Sequence, residues 1–307
     1  MKRLNKKILV TGGAGFIGSH TVDALIKKGA EVVIIDNLVT GRKENLNPKA
    51  KFYKLNISDL NVEKVFQKEK PEIVYHFAFN VLVPESTKNP LIDMDSIIGS
   101  VNILKNAKQY EVKKIVFASS GFIYGNNKNL PCKETEPIEP FLSYTVAKNT
   151  VENYLQFFNK TYGLSYIILR CATVYGERQI KGAMADYIRK LAAGKQAEIW
   201  GNGNKTRDYV YIDDVVRANL LSLELPPDYS DPVFNVGTGI ETTLNNLYRK
   251  IAELLDKKVE PIYLPDRQGE LVRFCLDYSK IKKALDWEPK YNLDEGLELK
   301  LKAENFI

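Results

Sequence analysis

Tyr144 and Lys148 stand four residues apart in the run YTVAK, a spacing that puts a phenol and an ammonium on one face of a helix. A nearby cation draws a tyrosine pKa down from about 10 toward the working range and makes the phenol a usable acid or base. Such a pair is common as surface decoration, and two further features give this one weight. Ser120 follows the apolar run Ile115 to Ala118, so its hydroxyl falls at the carboxyl end of a buried strand, where open α/β sheets bind their ligands. Upstream, Gly12, Gly13, Gly15 and Gly18 separate a short apolar strand, Ile8 to Thr11, from a stretch with helical spacing that stops at Gly29. A glycine turn opening onto a helix lets backbone N–H groups and the positive helix end approach a pyrophosphate with no Cβ in the way.

A second apolar run, Val32 to Ile35, ends on Asp36, a carboxylate roughly 20 residues past the glycines and placed to accept hydrogen bonds from an adenosine ribose. This favours NAD over NADP. Capping a turn with Asn37 is the plainer use of the same side chain, and Arg42 keeps a small opening for NADP. The elements that must carry these groups alternate: strands over Lys51 to Asn56, Ile73 to Ala78, Lys114 to Ala118 and Tyr166 to Arg170, with helices over Leu60 to Lys68, Pro90 to Tyr110 and from Ser143 onward. Asn80 to Asn89 and Asn126 to Leu142 read as loops. The pattern predicts an α/β fold with a doubly wound parallel sheet. An adenine ring would be met at Asn56 and Ile57, and His76, among apolar neighbours, reads as a satisfied core histidine. Further strands fall at Glu198 to Trp200 and Val233 to Val236. Arg207 and Arg267 sit in turn-rich loops, where a guanidinium either grips a diphosphate bidentately or makes an ordinary salt bridge.

The 307 residues suffice for a large core and an annex, and 44 Lys and Arg against 38 Asp and Glu give a net +6 without a basic run of the kind nucleic-acid arms carry. No nucleic-acid partner is expected. Cys132, Cys171 and Cys275 are odd in number and far apart, and with only His20 and His76 beside them they support neither a disulfide frame nor a metal site. No charged-then-apolar leader opens the chain and no apolar run approaches the roughly 18 residues of a membrane span, so a soluble, cytoplasmic protein without a membrane partner is expected. Abundant Lys and Glu with few Met and His would suit a heat-adapted source.

Taken together, TGGAGFIGSH, DNL, HFA, SSGFIYG, YTVAK, LRCATVYG, GNGNKTRDYVYIDD, FNVGTG, RQGEL and LDWEP resemble the extended short-chain dehydrogenases/reductases, specifically the NAD-dependent epimerase/dehydratase family, over nearly the whole length. The resemblance implies a Rossmann domain over 1–170, with a return segment at about 208–236, and a smaller α/β substrate-binding domain made mainly of 171–307. It implies NAD held by Gly12, Gly15, Phe16, Ile17 and Gly18 at the pyrophosphate and by Asp36 and Asn37 at the adenosine ribose. Asn56, Ile57, Phe77, Ala78, Tyr144 and Lys148 complete the cofactor set. Ser120, Tyr144 and Lys148 match the catalytic residues. For a UDP-sugar substrate the implied contacts are Ser120, Thr173, Arg207, Arg267, Glu270 and Phe274, the bulk of Phe274 leaning toward unacetylated hexoses. The implied reaction is epimerisation at carbon 4, interconverting UDP-glucose and UDP-galactose through a 4-keto intermediate.

This chain departs from the family pattern at Asn56 and Ser96, at Thr173, where an Asn usually touches the substrate phosphate, and at Val81, where Asn80 supplies the missing polarity. Dehydratases of the family carry an Asp-Glu pair after the catalytic hydroxyl residue; here Gly121 and Phe122 follow Ser120, and the position where decarboxylases place a Glu is also without one. A 4-keto reductase would prefer NADPH, which Asp36 disfavours, and a non-catalytic NAD-binding regulator would usually lack Tyr144 or Lys148. The family is generally dimeric through helices matching Pro90 to Tyr110 and Tyr144 to Tyr162, so a homodimer is implied; stripes such as Val151, Leu155 and Phe158 suit that interface or the core equally.

Overall fold

Ile8, Leu9 and Val10 are wholly shielded from solvent, as strand residues covered on both faces must be. They form the middle of β1 (Lys7–Thr11) in a computed structural model that describes residues 4–81, 83–267 and 270–307. The chain continues through α1 (Phe16–Lys27), β2 (Glu31–Asp36), β3 (Lys51–Lys54), α2 (Val62–Glu69), β4 (Ile73–His76), α3 (Val83–Lys88), α4 (Leu91–Gln109), β5 (Lys114–Ser120), α5 (Ser143–Tyr162) and β6 (Tyr166–Cys171). These strands and Val233–Val236 make a seven-stranded sheet in the order Val233–Val236, β6, β5, β4, β1, β2, β3. β1 pairs in parallel with β2 on one side and β4 on the other, so Thr11 lies between Ile35 and His76. The order reverses at β1, and the crevice that such a reversal opens beyond the strand ends is where dinucleotides bind. A cluster including Leu9, Val33, Phe66, Ile103, Phe117, Val151 and Leu155 packs helices onto the sheet.

The structure revises two expectations and decides one choice that the sequence left open. The presumed loop after Phe79 contains α3, because Ser86 buries its side chain and gives that segment an inward face. The third strand stops at Lys54, two residues before Asn56. Val151, Leu155 and Phe158 are core, at 0%, 2% and 8% exposure, whereas Val146, Tyr154, Phe157 and Tyr162 on α5 and Leu91, Met94 and Ile98 on α4 are the exposed apolar side chains.

Two compact units emerge. The first comprises Met1–Ile123, Pro140–Arg170 and Val216–Phe234, and the second Tyr124–Glu139, Cys171–Val215 and Asn235–Ile307. Beyond β6 run β7 (Thr173–Tyr175), α6 (Ala183–Ala192), β8 (Glu198–Trp200), β9 (Thr206–Arg207), β10 (Tyr209–Tyr211), α7 (Ile212–Leu221), β11 (Val233–Val236), β12 (Thr242–Thr243), α8 (Leu244–Leu254), β13 (Ile262–Leu264), α9 (Ser279–Leu285) and α10 (Leu293–Ala303). The second unit is built on three strand pairs, β7 with β10, β9 with β12 and β8 with β13. Its LDWEP segment is anchored by the fully buried Trp287, whose Nε1 donates to Asp214 O, while the Asp214 carboxylate accepts from Lys290 N and Tyr291 N. No helix among the described residues is long and apolar enough to cross a membrane.

Candidate active site

The glycine turn is shaped by close approach. Gly12 has φ +71°, a region that a side chain rarely adopts, and a Cβ there would lie 2.6 Å from Ala78 N; at Gly18 it would lie 2.1 Å from Gly12 O. Gly15 caps α1 without a side-chain bond, leaving the first N–H groups of the helix, from Phe16 and Ile17 on, for a ligand. Asp36 ends β2 at 6% exposure, its carboxylate accepting from Ala14 N at 3.0 Å and Leu38 N at 2.8 Å. Burial pushes its pKa up, against those two bonds. Asp36 therefore ties the glycine turn to its own strand end as well as capping it, and Asn37, exposed, accepts from Val39 N. Arg42 lies 3.4 Å from Glu44.

At the neighbouring strand end, Phe77 N donates to Thr11 O and Ala78 N to Thr11 Oγ1. His76 is 2% exposed, with Nδ1 2.7 Å from Thr11 Oγ1 and Nε2 2.8 Å from Ser100 Oγ. Since the Ser100 hydroxyl donates to Ser96 O, its oxygen accepts from Nε2–H, and Nδ1 accepts from Thr11. Burial, followed by the charge on Lys148, pushes the imidazole pKa down to about 3, so the ring is neutral and satisfied. Asn80 donates through its backbone N to Ser96 Oγ and through Nδ2 to Asp93, so Ser96 fastens this loop in place of a longer amide. Asn56 reaches Asp95 Oδ2 at 2.9 Å, and Ile57 is buried against Gly99. Val81 is half exposed.

The proposed catalytic residues come from β5 and α5. Ser120 is 8% exposed and its Oγ accepts from Phe122 N at 3.2 Å across the tight turn Gly121–Tyr124. Tyr144 is the second residue of α5, and its ring meets Phe79 edge-on at a centroid separation of 5.8 Å. Lys148 Nζ donates to Ala118 O at 2.6 Å, and lies 3.9 Å from the Phe79 ring centroid, 4.6 Å from that of Phe117 and 5.8 Å from that of Tyr144. A short carbonyl bond and two π faces therefore fix the ammonium beside the phenol. Phe79 escaped the sequence reading, as did the buried Glu152 and Arg170, where Glu152 accepts from Ser119 Oγ at 2.5 Å and from Arg170 Nη2 at 2.7 Å. Glu152 is one helical turn past Lys148, a signal that the four-residue spacing could have supplied.

In the second unit, Arg207 donates from Nη1 to Thr206 O at 2.7 Å and Leu271 O at 2.9 Å, while burial pushes its pKa down. Arg267 lies over Trp200, 3.8 Å from the ring centroid, and 3.9 Å from Glu270 Oε1. Lys205, also unremarked in the sequence, bridges Asp266 at 2.7 Å and Glu270 at 2.8 Å. Burial works to lower its pKa, but the bonds to the two carboxylates prevail and raise it. Thr173 Oγ1 is buried with no hydrogen-bond partner, and Phe274 is 2% exposed. Asp208, fully buried, accepts from Thr238 N and Oγ1, Gly239 N and Leu276 N, binding together the segments around Arg207 and Phe274. Gln268 and Gly269 lie outside the described residues. Among those described, no cluster of His, Cys, Asp and Glu is arranged to hold a metal ion, and the three cysteines are buried and unbridged.

The profile of the NAD dependent epimerase/dehydratase family matches residues 8–237. The chain belongs to that family. A UDP-glucose 4-epimerase from Thermotoga maritima, solved with UDP-glucose, is 44% identical and superposes with a TM-score of 0.94 over 97% of this chain and 98% of that one. The Thermus thermophilus UDP-glucose 4-epimerase, solved with NAD, is 35% identical with a TM-score of 0.90 over 96% and 98%. A UDP-glucose 4-epimerase of Mycolicibacterium smegmatis is 36% identical over 302 residues, 95% of this chain and 96% of its own. As a member this chain is an NAD-dependent enzyme, and its own residues fit the cofactor: the Cβ-free turn, the uncapped start of α1 and the buried Asp36 carboxylate are what a dinucleotide requires.

Proposed function

We propose that the protein is a sugar-nucleotide 4-epimerase that interconverts UDP-glucose and UDP-galactose. The observation that carries this reading is the Ser120, Tyr144 and Lys148 set with Gly121 and Phe122 directly behind it, an acid–base centre without the extra carboxylates that dehydration or decarboxylation needs. Bound NAD would supply a hydride acceptor that returns the hydride to the same carbon. Gly12, Gly15, Phe16, Ile17 and Gly18 would hold its pyrophosphate and Asp36 and Asn37 its adenosine ribose, with Asn56, Ile57, Phe77 and Ala78 alongside. Tyr144 as phenolate takes the proton of the sugar 4-hydroxyl and later gives it back, and Ser120 Oγ orients that hydroxyl. Lys148 favours the phenolate and holds the nicotinamide ribose. Arg207 and Arg267 grip the diphosphate, Glu270 takes the ribose end, the Thr173 hydroxyl finds its missing partner on a phosphate oxygen, and Phe274 limits room at the hexose.

We further propose a homodimer formed through the exposed apolar faces of α4 and α5, since Leu91, Met94 and Ile98 recur at helical spacing and are 74%, 48% and 57% exposed.

Purified protein incubated with UDP-galactose and no added NAD should yield UDP-glucose. No UDP-glucose, with turnover of an N-acetylated or uronic counterpart assayed beside it, would reassign the substrate. Tyr144→Phe should abolish turnover while retaining NAD, and an active Tyr144→Phe enzyme would remove Tyr144 from the mechanism.

A further inference from the structure

Tyr144, Lys148 and Glu152 recur every fourth residue on α5 and therefore line one helix face. Lys148 and Glu152 both clamp the end of β5 just ahead of Ser120, Lys148 through Ala118 O and Glu152 by accepting from Ser119 Oγ at 2.5 Å. The Glu152 side chain is 1% exposed, and Arg170, itself 5% exposed, donates to it from Nε at 3.2 Å and Nη2 at 2.7 Å.

A buried ion pair adds little to stability, because desolvation offsets most of its attraction. Its position beneath Lys148 gives it an electrostatic consequence. Lys148, Glu152 and Arg170 comprise two cations and one anion. With Glu152 engaged by Arg170, the Lys148 ammonium acts on the Tyr144 phenol at close to full strength; with Arg170 replaced by a neutral residue, Glu152 would offset part of it.

Other titratable groups border the same helix. His76 on β4 is neutral, and on β6 burial followed by Glu152 and Asp231 raises the pKa of Tyr166, which keeps its phenol protonated. Asp93 is buried at the start of α4, where Asp95, Lys105 and Lys108 are exposed, as are Glu85 and Lys88 on α3. They form a constant background, the exposed ones screened by solvent.

We propose that Arg170, acting through Glu152, keeps the Lys148 charge from being partly offset and so sets the pH range over which Tyr144 serves as a base. The proposal rests on Tyr144 being the acid and base of the reaction, and it makes Glu152 and Arg170 positioning residues that act through Lys148. Glu152 lies eight residues from Tyr144, about 12 Å along a helix, and a unit charge at that distance in an effective dielectric of about 20 shifts a pKa by about one unit.

The test is the pH profile of kcat/KM for the NAD-loaded enzyme. Arg170→Gln should move the acidic limb up by about one pH unit, and Glu152→Gln should move it down by a similar amount. The Glu152→Gln/Arg170→Gln double variant restores the net charge and should return the limb to the parent position, and Arg170→Lys should leave it there. Loosening of the fold alone would damage the single variants most, because each leaves a buried charge unpaired, and it would shift no limb in opposite directions. Single variants that shift together or not at all, or a double variant that stays displaced, would overturn the proposal. If Arg170→Gln fails to fold, judged by retained NAD, the Glu152→Gln and double variants decide between the same outcomes. Tyr144→Phe assayed alongside separates the two claims: activity there refutes the role of Tyr144, whereas an inactive Tyr144→Phe with unmoved limbs refutes only the tuning.

Discussion

Thr173 is one of the residues that carry an unsatisfied buried polar atom in the protein alone. Its hydroxyl is buried without a partner, a situation that costs about 1–3 kcal/mol. Thr173→Val keeps the shape and removes the orphan group, so the protein without substrate should gain about 1 kcal/mol in chemical denaturation. If the hydroxyl is completed by substrate phosphate, the same variant should raise KM about five- to tenfold with kcat nearly unchanged. A variant that gains stability and keeps its KM would show the hydroxyl to be no part of substrate binding. Legibility at this scale was uneven. Tyr144, Lys148 and Asp36 could be singled out because their spacing is local, four residues on a helix or a single strand end. Lys205, Phe79 and Arg170 could not, because their partners Glu270, Tyr144 and Glu152 are distant in the chain and only folding brings them together.

Among the elements, the ends of β1 and β4 are joined to the middle of α4 by His76, which links Thr11 to Ser100 while Ala78 and Asn80 hang from the same chain of bonds. The neutral imidazole makes this junction sensitive to acid. Its pKa is about 3 in the folded protein against 6.5 for the free side chain, so between those values the unfolded chain binds the extra proton and stability falls as pH falls. From pH 7 to pH 5 the loss attributable to this one group should be about 2 kcal/mol. Urea titrations of the parent and His76→Gln at both pH values measure it. Equal losses in the two proteins would show that His76 is not held neutral. The histidine's place in an apolar run was enough to read it as a core residue, but that it fastens the loop beyond β4 depends on Ser96 and Ser100, a helix away. The same distance hid α3, whose short polar stretch has no apolar periodicity to announce it.

For the whole molecule, the apolar side chains left on α4 and α5 are the feature that an isolated subunit does not explain. Met94→Glu combined with Phe157→Glu should convert the expected dimer into a monomer in light scattering, with retained NAD reporting an intact fold, and a parent protein that is already monomeric would refute the interface. Which apolar residues serve the core and which face outward was not readable from periodicity. Val151 and Phe157 belong to one helix, and only the packing of α5 against α4 and the sheet buries the first and leaves the second half exposed.

The amino-acid sequence by itself determined the alternation of strand and helix, the glycine turn with Asp36 and the acid–base pair, since each is written in neighbouring residues and short periods. The tertiary structure decided what surrounds them: which carboxylate is neutralised by which guanidinium, which hydroxyl is left without a partner and which apolar stripe remains uncovered. Those depend on burial and on contacts between residues far apart in the chain, and charge, hydration and hydrogen bonding take their magnitudes from such contacts.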